Sequence, residues 1–152
     1  MCSCKQVTSR TVSKMCQWKY LTRLNLRFCN GIKSFEGLEK CISLQHFSTA
    51  CSSVPSSDFI TLARLGMSLR TLELRECRLD GPGLKAIANG SPMLSVLEVV
   101  DCKDVEDEAV YHVLLTCPFL QRLCLTGTRI TDHAFFTPDL PDLESKVCRV
   151  DI

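Results

Sequence analysis

One pattern of apolar positions recurs along the chain. Its clearest copy is the stretch 94–110, where apolar residues stand at positions 1, 4 and 6, a cysteine at position 9, and a second apolar pair at positions 12 and 17. Further copies begin at Leu21, Leu44, Leu69 and Leu120. From one copy to the next, the apolar residue at position 4 recurs after 23, 25, 25 and 26 residues. Such a period indicates a solenoid, in which one supersecondary unit stacks on the next.

Each copy has two halves with different periods. The segment 71–75 alternates apolar and polar residues, which predicts a short strand with one buried face. Past the cysteine the apolar residues follow a helical period, as in 84–88. Gly81-Pro82 and the acidic run 106–108 mark helix starts. We interpret Asn89-Gly90-Ser91 as a helix-ending turn rather than a glycosylation acceptor.

A strand followed by a helix, repeated, predicts an α/β fold with a parallel sheet and helices on one side. Because a helix is wider than the roughly 4.8 Å spacing of strands, we expect a curved solenoid arc with the sheet concave and the helices convex. Residues 1–152 should form a single domain of this kind, with five recognisable repeats and partial units at both ends.

The partial units at the two ends differ in how closely they follow the pattern. At the N-terminus, Cys4, Val7 and Val12 repeat the spacing of the second half of a unit. At the C-terminus two registers stay open, one headed by Leu140 and the other by Leu143. The chain is therefore either a fragment of a larger protein, a truncated product or a whole protein. Because neither end supplies a clear capping unit and bare strand edges invite pairing, we expect residues 1–152 expressed alone to be marginally stable, self-associating or poorly soluble.

The side chains between the buried strand positions should point to the concave side, and strands in register bring them together in three rows. We predict that a protein partner binds there, on Arg23, Asn25, Arg27, His46, Glu73, Arg75, Val96, Glu98, Arg122 and Thr126. The rows are completed by Ser48, Ala50, Thr71, Val100 and Cys124.

The charge of these rows suggests the kind of partner. Four arginines and two glutamates favour a protein of mixed or acidic charge. The alternative is a solvated polar face on which Arg75 and Glu98 only pair with each other. The rows contain no stacking aromatic residues, so nucleic acid is not expected.

Composition favours a location inside the cell. The formal net charge of +1 gives no general attraction to nucleic acid or anionic membranes. The first twenty residues lack the apolar core of a signal peptide, and no run of about 18 apolar residues predicts a membrane span. We therefore expect a cytoplasmic or nuclear protein whose eleven cysteines are reduced.

The cysteines and histidines indicate packing rather than chemistry. Six cysteines occupy two positions of the repeat. The turn after the strand holds Cys4, Cys29, Cys77 and Cys102, and the helix end holds Cys41 and Cys117. A zinc site needs paired ligands, and only Cys2 and Cys4 are close in sequence. His46, His112 and His133 stand in no catalytic motif. We expect no enzyme activity, no metal and no cofactor.

From Cys4 to about Leu143 the pattern resembles the cysteine-containing leucine-rich repeat. The resemblance is carried by Leu24/Leu26/Cys29, Leu72/Leu74/Cys77 and Leu97/Val99/Cys102, by Ile130-Thr131-Asp132 and Leu79-Asp80, and by Cys117-Pro118-x-Leu120 and Ser91-Pro92-x-Leu94. The copy at 44–59 departs from it, because Thr49 and Ser52 replace leucine and cysteine.

This repeat subtype is similar to that of F-box/leucine-rich-repeat proteins. The resemblance implies a non-catalytic recognition arc, which in that family binds substrates for an SCF-type cullin–RING ubiquitin ligase. No F-box helices precede Cys4, so SCF components are expected as partners only if an F-box exists elsewhere. The alternative is a structural or assembly scaffold of the cell-cycle or ciliary type, without a connection to a ligase.

Overall fold

The computed structural model describes residues 6–50, 53–135 and 149–151. Within them, six strands form one parallel sheet in chain order. The strands are β1 (Arg23–Leu26), β2 (His46–Ala50), β3 (Thr71–Arg75), β4 (Val96–Val100), β5 (Arg122–Cys124) and β6 (Arg149–Asp151). The predicted α/β class and the parallel strand order are confirmed.

Helical segments connect the strands. They are α1 (Ser9–Met15), α2 (Gly81–Gly90) and α3 (Asp107–Thr116), with 3-10 helices at Leu38–Lys40, Ser56–Ser68 and Asp132–Ala134. Asp80 caps α2 by accepting a hydrogen bond from the N–H of Gly83 at 2.9 Å, and the first turn of α3 carries Asp107 and Glu108. The predicted starts of α2 and α3 and the predicted end of α2 are confirmed. No helix within the described ranges is long and apolar enough to cross a membrane.

The first two complete units contain 3-10 helices where the helical period predicts α-helices. The first unit is shorter than the next, 23 residues against 25, and only the three-residue helix Leu38–Lys40 lies between its turn and β2. In the second unit Gly66 has φ 66° and ψ −148°, which interrupts the segment Ser56–Ser68. Only glycine adopts such angles readily, and they do not fit an α-helix. The prediction of a regular α-helix is therefore wrong for these two units.

One hydrophobic core joins the inner face of the sheet to the helices. It contains the alternate strand residues that the repeat predicts, such as Leu72 and Leu74, which are fully buried. Thr49 takes a leucine position in the degenerate copy and is also fully buried. In that copy Phe47 packs edge-on against Phe35, with ring centroids 5.7 Å apart. Aromatic rings thus supply apolar area that the threonine does not.

The turns after β1, β3 and β4 each depend on a residue other than glycine with left-handed backbone angles. Phe28, Glu76 and Asp101 have φ values of 64°, 49° and 54°, and each directly precedes the cysteine of its repeat. Such angles are uncommon for residues other than glycine. The N–H of Glu76 donates to the carbonyl of Val100 at 2.9 Å, and that of Asp101 to the carbonyl of Thr126 at 2.8 Å. These bonds to the next unit stabilise the unusual angles.

The cysteines at this turn pack as small buried thiols, as predicted. Cys29, Cys77 and Cys102 are all buried. The Cys77 thiol donates to the carbonyl oxygen of Arg75 at 3.1 Å, so the side chain also satisfies a main-chain acceptor at the turn. Cys4, predicted for the same position, lies outside the described residues.

A disulfide bond joins Cys16, at the end of α1, to Cys41, at the end of the first 3-10 helix. The two residues are 25 positions apart, about one repeat, so the stacking of units brings their Cα atoms to 4.8 Å. The prediction that Cys41 is a reduced packing thiol is wrong, and so is the prediction that all eleven cysteines are reduced. Cys117, predicted for the same position, is a buried thiol.

In the described parts of the end units, the N-terminal helix follows the pattern, and the C-terminal strand has neither of the registers that the sequence left open. In the N-terminal unit α1 buries Val12, as its spacing predicts. At the other end Val150 of β6 pairs with Leu123 of β5 and therefore takes position 4 of the repeat. Registers headed by Leu140 or Leu143 both place position 4 earlier. Leu140 and Leu143 themselves lie outside the described residues, but the pairing of Val150 with Leu123 agrees with neither register.

Candidate functional site

The sheet has one face turned away from the core, which we call the open face and define by three rows of side chains. The first row is Arg23, His46, Thr71, Val96 and Arg122, and the second is Asn25, Ser48, Glu73, Glu98 and Cys124. The third contains Ala50, Arg75 and Val100, flanked in sequence register by Arg27 and Thr126. The strand β6 adds Asp151 to the second row, because Asp151 pairs with Cys124 of β5. The strand register confirms the predicted positions of the first two rows.

Five charged side chains of the open face form one cluster, which we call the arginine–glutamate cluster. Arg27 Nη2 lies 2.5 Å from Glu73 Oε2. Arg75 Nη2 lies 2.6 Å from Glu98 Oε2, and Arg122 Nη2 lies 3.2 Å from Glu98 Oε1. Arg27 Nη2 is also 4.0 Å from Glu98 Oε2, so both carboxylates share this guanidinium. The pairing of Arg75 with Glu98, expected as an alternative to a binding face, is therefore part of a larger network.

The register of β3 and β4 explains why the cluster forms. Glu73 lies directly opposite Glu98, and two like charges in that position destabilise a sheet. Arg27 approaches from the β1 side and Arg122 from β5, while Arg75 follows on β3 itself. The arginines offset a repulsion that the strand register creates.

Glu98 lies beneath the arginines. It is 6% exposed, whereas the side chains of Arg27, Arg75 and Arg122 are 27%, 37% and 42% exposed. A buried carboxylate requires charged hydrogen-bond donors, and guanidinium groups supply them. Glu98 therefore holds the arginines in place from below and presents little surface of its own to a partner. Val100 of the same strand is also buried, at 8%.

A hollow of about 300 Å³ adjoins the cluster above β1, β2 and β3. Its polar lining is provided by Arg23, Asn25, His46, Ser48, Thr71 and Glu73. The hollow thus places four of the predicted partner-binding residues around one concavity and connects it to the cluster through Glu73. Val96, Arg122 and Thr126 lie outside it, towards β4 and β5. The part played by each of these residues in binding a partner stays a prediction.

Two of the histidines lie away from the open face. His112 Nε2 lies 2.8 Å from Asn89 Oδ1, which joins α3 to α2. His133 is exposed in the 3-10 helix Asp132–Ala134. Across the ranges 6–50, 53–135 and 149–151, no three or more His, Cys, Asp or Glu side chains are grouped so that they could hold a metal ion.

Two thiols have shifted pKa values in opposite directions. The pKa of Cys102 is lowered chiefly by Cys77, because the Cys77 thiol proton can turn from the Arg75 carbonyl to the Cys102 thiolate when that thiolate forms. Burial raises the pKa of Cys117 to about 11. Both side chains are 2% exposed or less, so neither thiol is placed to attack a substrate.

Sequence reasoning missed a line of exposed apolar side chains at the helix-to-strand turns. Tyr20, Ile42, Met67 and Phe119 are 82%, 70%, 66% and 55% exposed. All four stand one or two positions before the first leucine of a repeat, and that recurrence is the signal that could have revealed them. Ser68 Oγ donates to the carbonyl of Ile42 at 2.5 Å, so consecutive turns lie side by side. This edge exposes apolar area that the core does not use.

A comparison with known families matches the central unit. Residues 67–88 match a family model described as Leucine Rich repeat, and they span β3 and most of α2. No curated protein matches the chain. Because β2 and β4 pair in register with β3, the matched unit has neighbours of the same arrangement on both sides. The match over one strand–turn–helix unit supports a leucine-rich-repeat family for this chain.

Proposed function

We propose that this chain is a non-catalytic protein-recognition module that binds its partner on the open face. Stacked repeats commonly curve and present an extended concave surface to other proteins. In this proposal the open face is the concave side of the arc and the helices form its convex side. Proteins are the partners that leucine-rich repeats generally bind, which supports this function over catalysis.

The observation that carries the proposal is the fixed arrangement of arginines over a buried glutamate. Long arginine side chains lose considerable conformational freedom when a partner immobilises them. Glu98 already pairs with Arg75 and Arg122, at 2.6 and 3.2 Å. Much of the conformational entropy of these side chains is therefore lost during folding, and less is lost when a partner binds. A preorganised charged face beside a hollow suits recognition of a protein surface.

Within this role, the finer proposal is a substrate-binding arc like that of an F-box/leucine-rich-repeat adaptor in SCF-type ubiquitin-dependent turnover. Its support is the resemblance of the repeats, and it requires an F-box elsewhere in the protein. A cytoplasmic or nuclear location belongs to the same proposal. The disulfide is compatible with it, because Cys16 and Cys41 are 3% and 2% exposed and thus shielded from cellular thiols.

The alternative function is a structural or assembly scaffold without a ligase connection. The exposed apolar line of Tyr20, Ile42, Met67 and Phe119 favours it, because a scaffold needs a second contact surface. Immunoprecipitation of the full-length protein separates the two functions. Recovery of a cullin scaffold supports the adaptor, and its absence supports the assembly scaffold.

Photo-crosslinking tests the binding face itself. A photoreactive amino acid replaces Thr71 in the first row or, as a control, Leu115 on α3, which is 44% exposed on the opposite side of the core. In cells, we expect a discrete cross-linked protein from position 71 and none from position 115. Cross-links from position 115 alone would contradict a partner on the open face.

A further inference from the structure

The arginine–glutamate cluster contains one more positive group than negative groups. Arg27, Arg75 and Arg122 face Glu73 and Glu98, so the cluster has a net charge of +1. Within the described residues these are the only carboxylates within 4.0 Å of the three guanidinium groups. The excess charge lies on a face where water or a partner can reach it.

The oxygens of the two glutamates are already shared. Glu98 Oε2 accepts from Arg75, and Glu98 Oε1 lies against Arg122. Glu73 Oε2 accepts both from Arg27, at 2.5 Å, and from Ser48 Oγ, at 3.0 Å. A guanidinium has five N–H donors in a planar fork, so each arginine keeps donors beyond these contacts.

Arg122 is the least satisfied member of the cluster. Its ion pair, at 3.2 Å, is longer than those of Arg27 and Arg75, at 2.5 and 2.6 Å. Its side chain is also the most exposed of the three, at 42%. A carboxylate from outside could take a bidentate position on Arg122 without displacing Glu98.

A second cationic position lies at the other end of the same row. Arg23, on β1, is exposed and borders the hollow. Arg23 and Arg122 stand in the same row and are four strands apart. At about 4.8 Å between neighbouring strands, the distance between them across the sheet is about 19 Å. An extended peptide rises about 3.3 Å per residue, so it covers this distance in about six residues.

We propose that the partner contributes an extended acidic segment that crosses the strands of the open face. One carboxylate binds Arg122 beside Arg75, and a second, about six residues away, binds Arg23 at the hollow. This inference rests on the proposed function, because it names the chemistry of the partner at that face. Carboxylates suit the site better than nucleic acid does, since the rows contain no Phe, Tyr or Trp on which bases could stack.

A labelled heptapeptide tests the proposal on the full-length protein. Its sequence is Glu-Gly-Ser-Gly-Ser-Gly-Glu, and binding is followed by fluorescence anisotropy at low ionic strength. We expect binding that weakens as salt is added and that falls at least tenfold in Arg122→Gln. Arg122→Lys should give an intermediate loss, because lysine keeps the charge and loses the bidentate geometry.

The matched control is Arg78→Gln, since Arg78 is exposed and follows the turn after β3, away from the rows. It should bind within twofold of the unaltered protein. A circular dichroism melt of each variant checks the fold independently of binding. Peptides with lysine at both ends, or with the two glutamates three residues apart, should bind at least tenfold more weakly.

Several results would contradict the proposed binding of an acidic segment to the open face. They are no binding by the unaltered protein, equal binding by Arg122→Gln, or tighter binding of a six-nucleotide single-stranded DNA. Cross-links from position 71 without peptide binding would leave the proposed function in place and remove this inference. Peptide binding through Arg122 without such cross-links would support an acid-binding site at Arg122 and would count against the proposed protein-recognition function.

Discussion

At the scale of single residues, the open face depends on Glu98. Its carboxylate is almost fully buried and lies within 4.0 Å of Arg27, Arg75 and Arg122. Without the Glu98 carboxylate, the three arginines would repel one another, and Glu73 would be the one negative charge left in the cluster. Since the guanidinium groups are partly exposed, water offsets some of this loss.

We predict that Glu98→Gln lowers the free energy of unfolding by about 2 kcal/mol. Glutamine keeps the volume and a neutral acceptor but loses the charge that offsets the arginines. Urea unfolding measures the change. Glu108→Gln is the control, because the Lys85–Glu108 pair, at 2.7 Å, leaves Glu108 81% exposed. The prediction fails if the two variants lose the same stability.

Cys117 makes stability depend on pH in the alkaline range. Its pKa is raised from the ordinary value of 9.0 to about 11 by burial. Between these values the unfolded chain releases the thiol proton and the folded chain keeps it, so stability falls as the pH rises. The loss across this window is on the order of 3 kcal/mol.

Comparison with Cys117→Ser isolates this effect, because serine does not titrate there. We expect the stability difference between the unaltered protein and the variant to shrink steadily from pH 8.5 to pH 11 in urea unfolding. Other titrating groups cancel in the difference. Parallel curves over this range would show that burial does not hold the proton on Cys117.

At the scale of elements, α2 meets the 3-10 segment Ser56–Ser68 by direct contact of main chains. A Cβ on Gly90 would overlap the carbonyl oxygen of Ala63. Glycine is required there by the close approach of two backbones, not by a left-handed φ. A Cβ added to Gly81, at the start of the same helix, would meet only the Cβ of Ala109, at 3.7 Å.

We predict that Gly90→Ala destabilises the protein by about 3 kcal/mol, because main chain cannot move aside as a side chain can. Gly81→Ala should leave stability within about 1 kcal/mol of the unaltered protein, since its methyl group makes an ordinary contact. Thermal melts followed by circular dichroism compare the two. Equal melting temperatures would mean that α2 and the 3-10 segment are farther apart than the structure places them.

At the scale of the whole molecule, each unit is stabilised by its neighbours, and the N-terminal units also by a covalent bond. The Cys16–Cys41 disulfide closes a loop with a sequence separation of 25 residues. A loop of this length corresponds to about 3.5 kcal/mol of lost freedom in the unfolded chain. The bond therefore stabilises the first units of the stack, whose helices α1 and Leu38–Lys40 contain only seven and three residues.

We predict that the double variant Cys16→Ala/Cys41→Ala loses about 3 kcal/mol, with the loss concentrated in the first units. Trp18, the only tryptophan, lies two residues after Cys16 and reports local unfolding by fluorescence. Reductant should shift the unfolding of the unaltered protein and leave that of the double variant unchanged. The same shift in both would contradict a stabilising role for the bond.

Much of the fold follows from local patterns. The alternation at 71–75 produces a strand, and Asp80 with Gly81-Pro82 starts a helix, because each depends on residues close in sequence. The repeat interval then fixes which strand residues align, and the first two open-face rows appear at the predicted positions. Periodicity therefore determines the sheet and most of its outward-facing side chains.

Features that depend on distances between units could not be derived in this way. Glu98 is covered by arginines on β3, on β5 and directly after β1, and the Cys16–Cys41 bond forms because stacking of the first units brings two helix ends together. The register of β6 follows from main-chain pairing with β5 rather than from a leucine. By itself the sequence determined the repeat, the strand order and the composition of the open face. Tertiary structure decided which charges meet, which are buried and which remain accessible, because those properties arise from neighbours that are at least 23 residues apart in the chain.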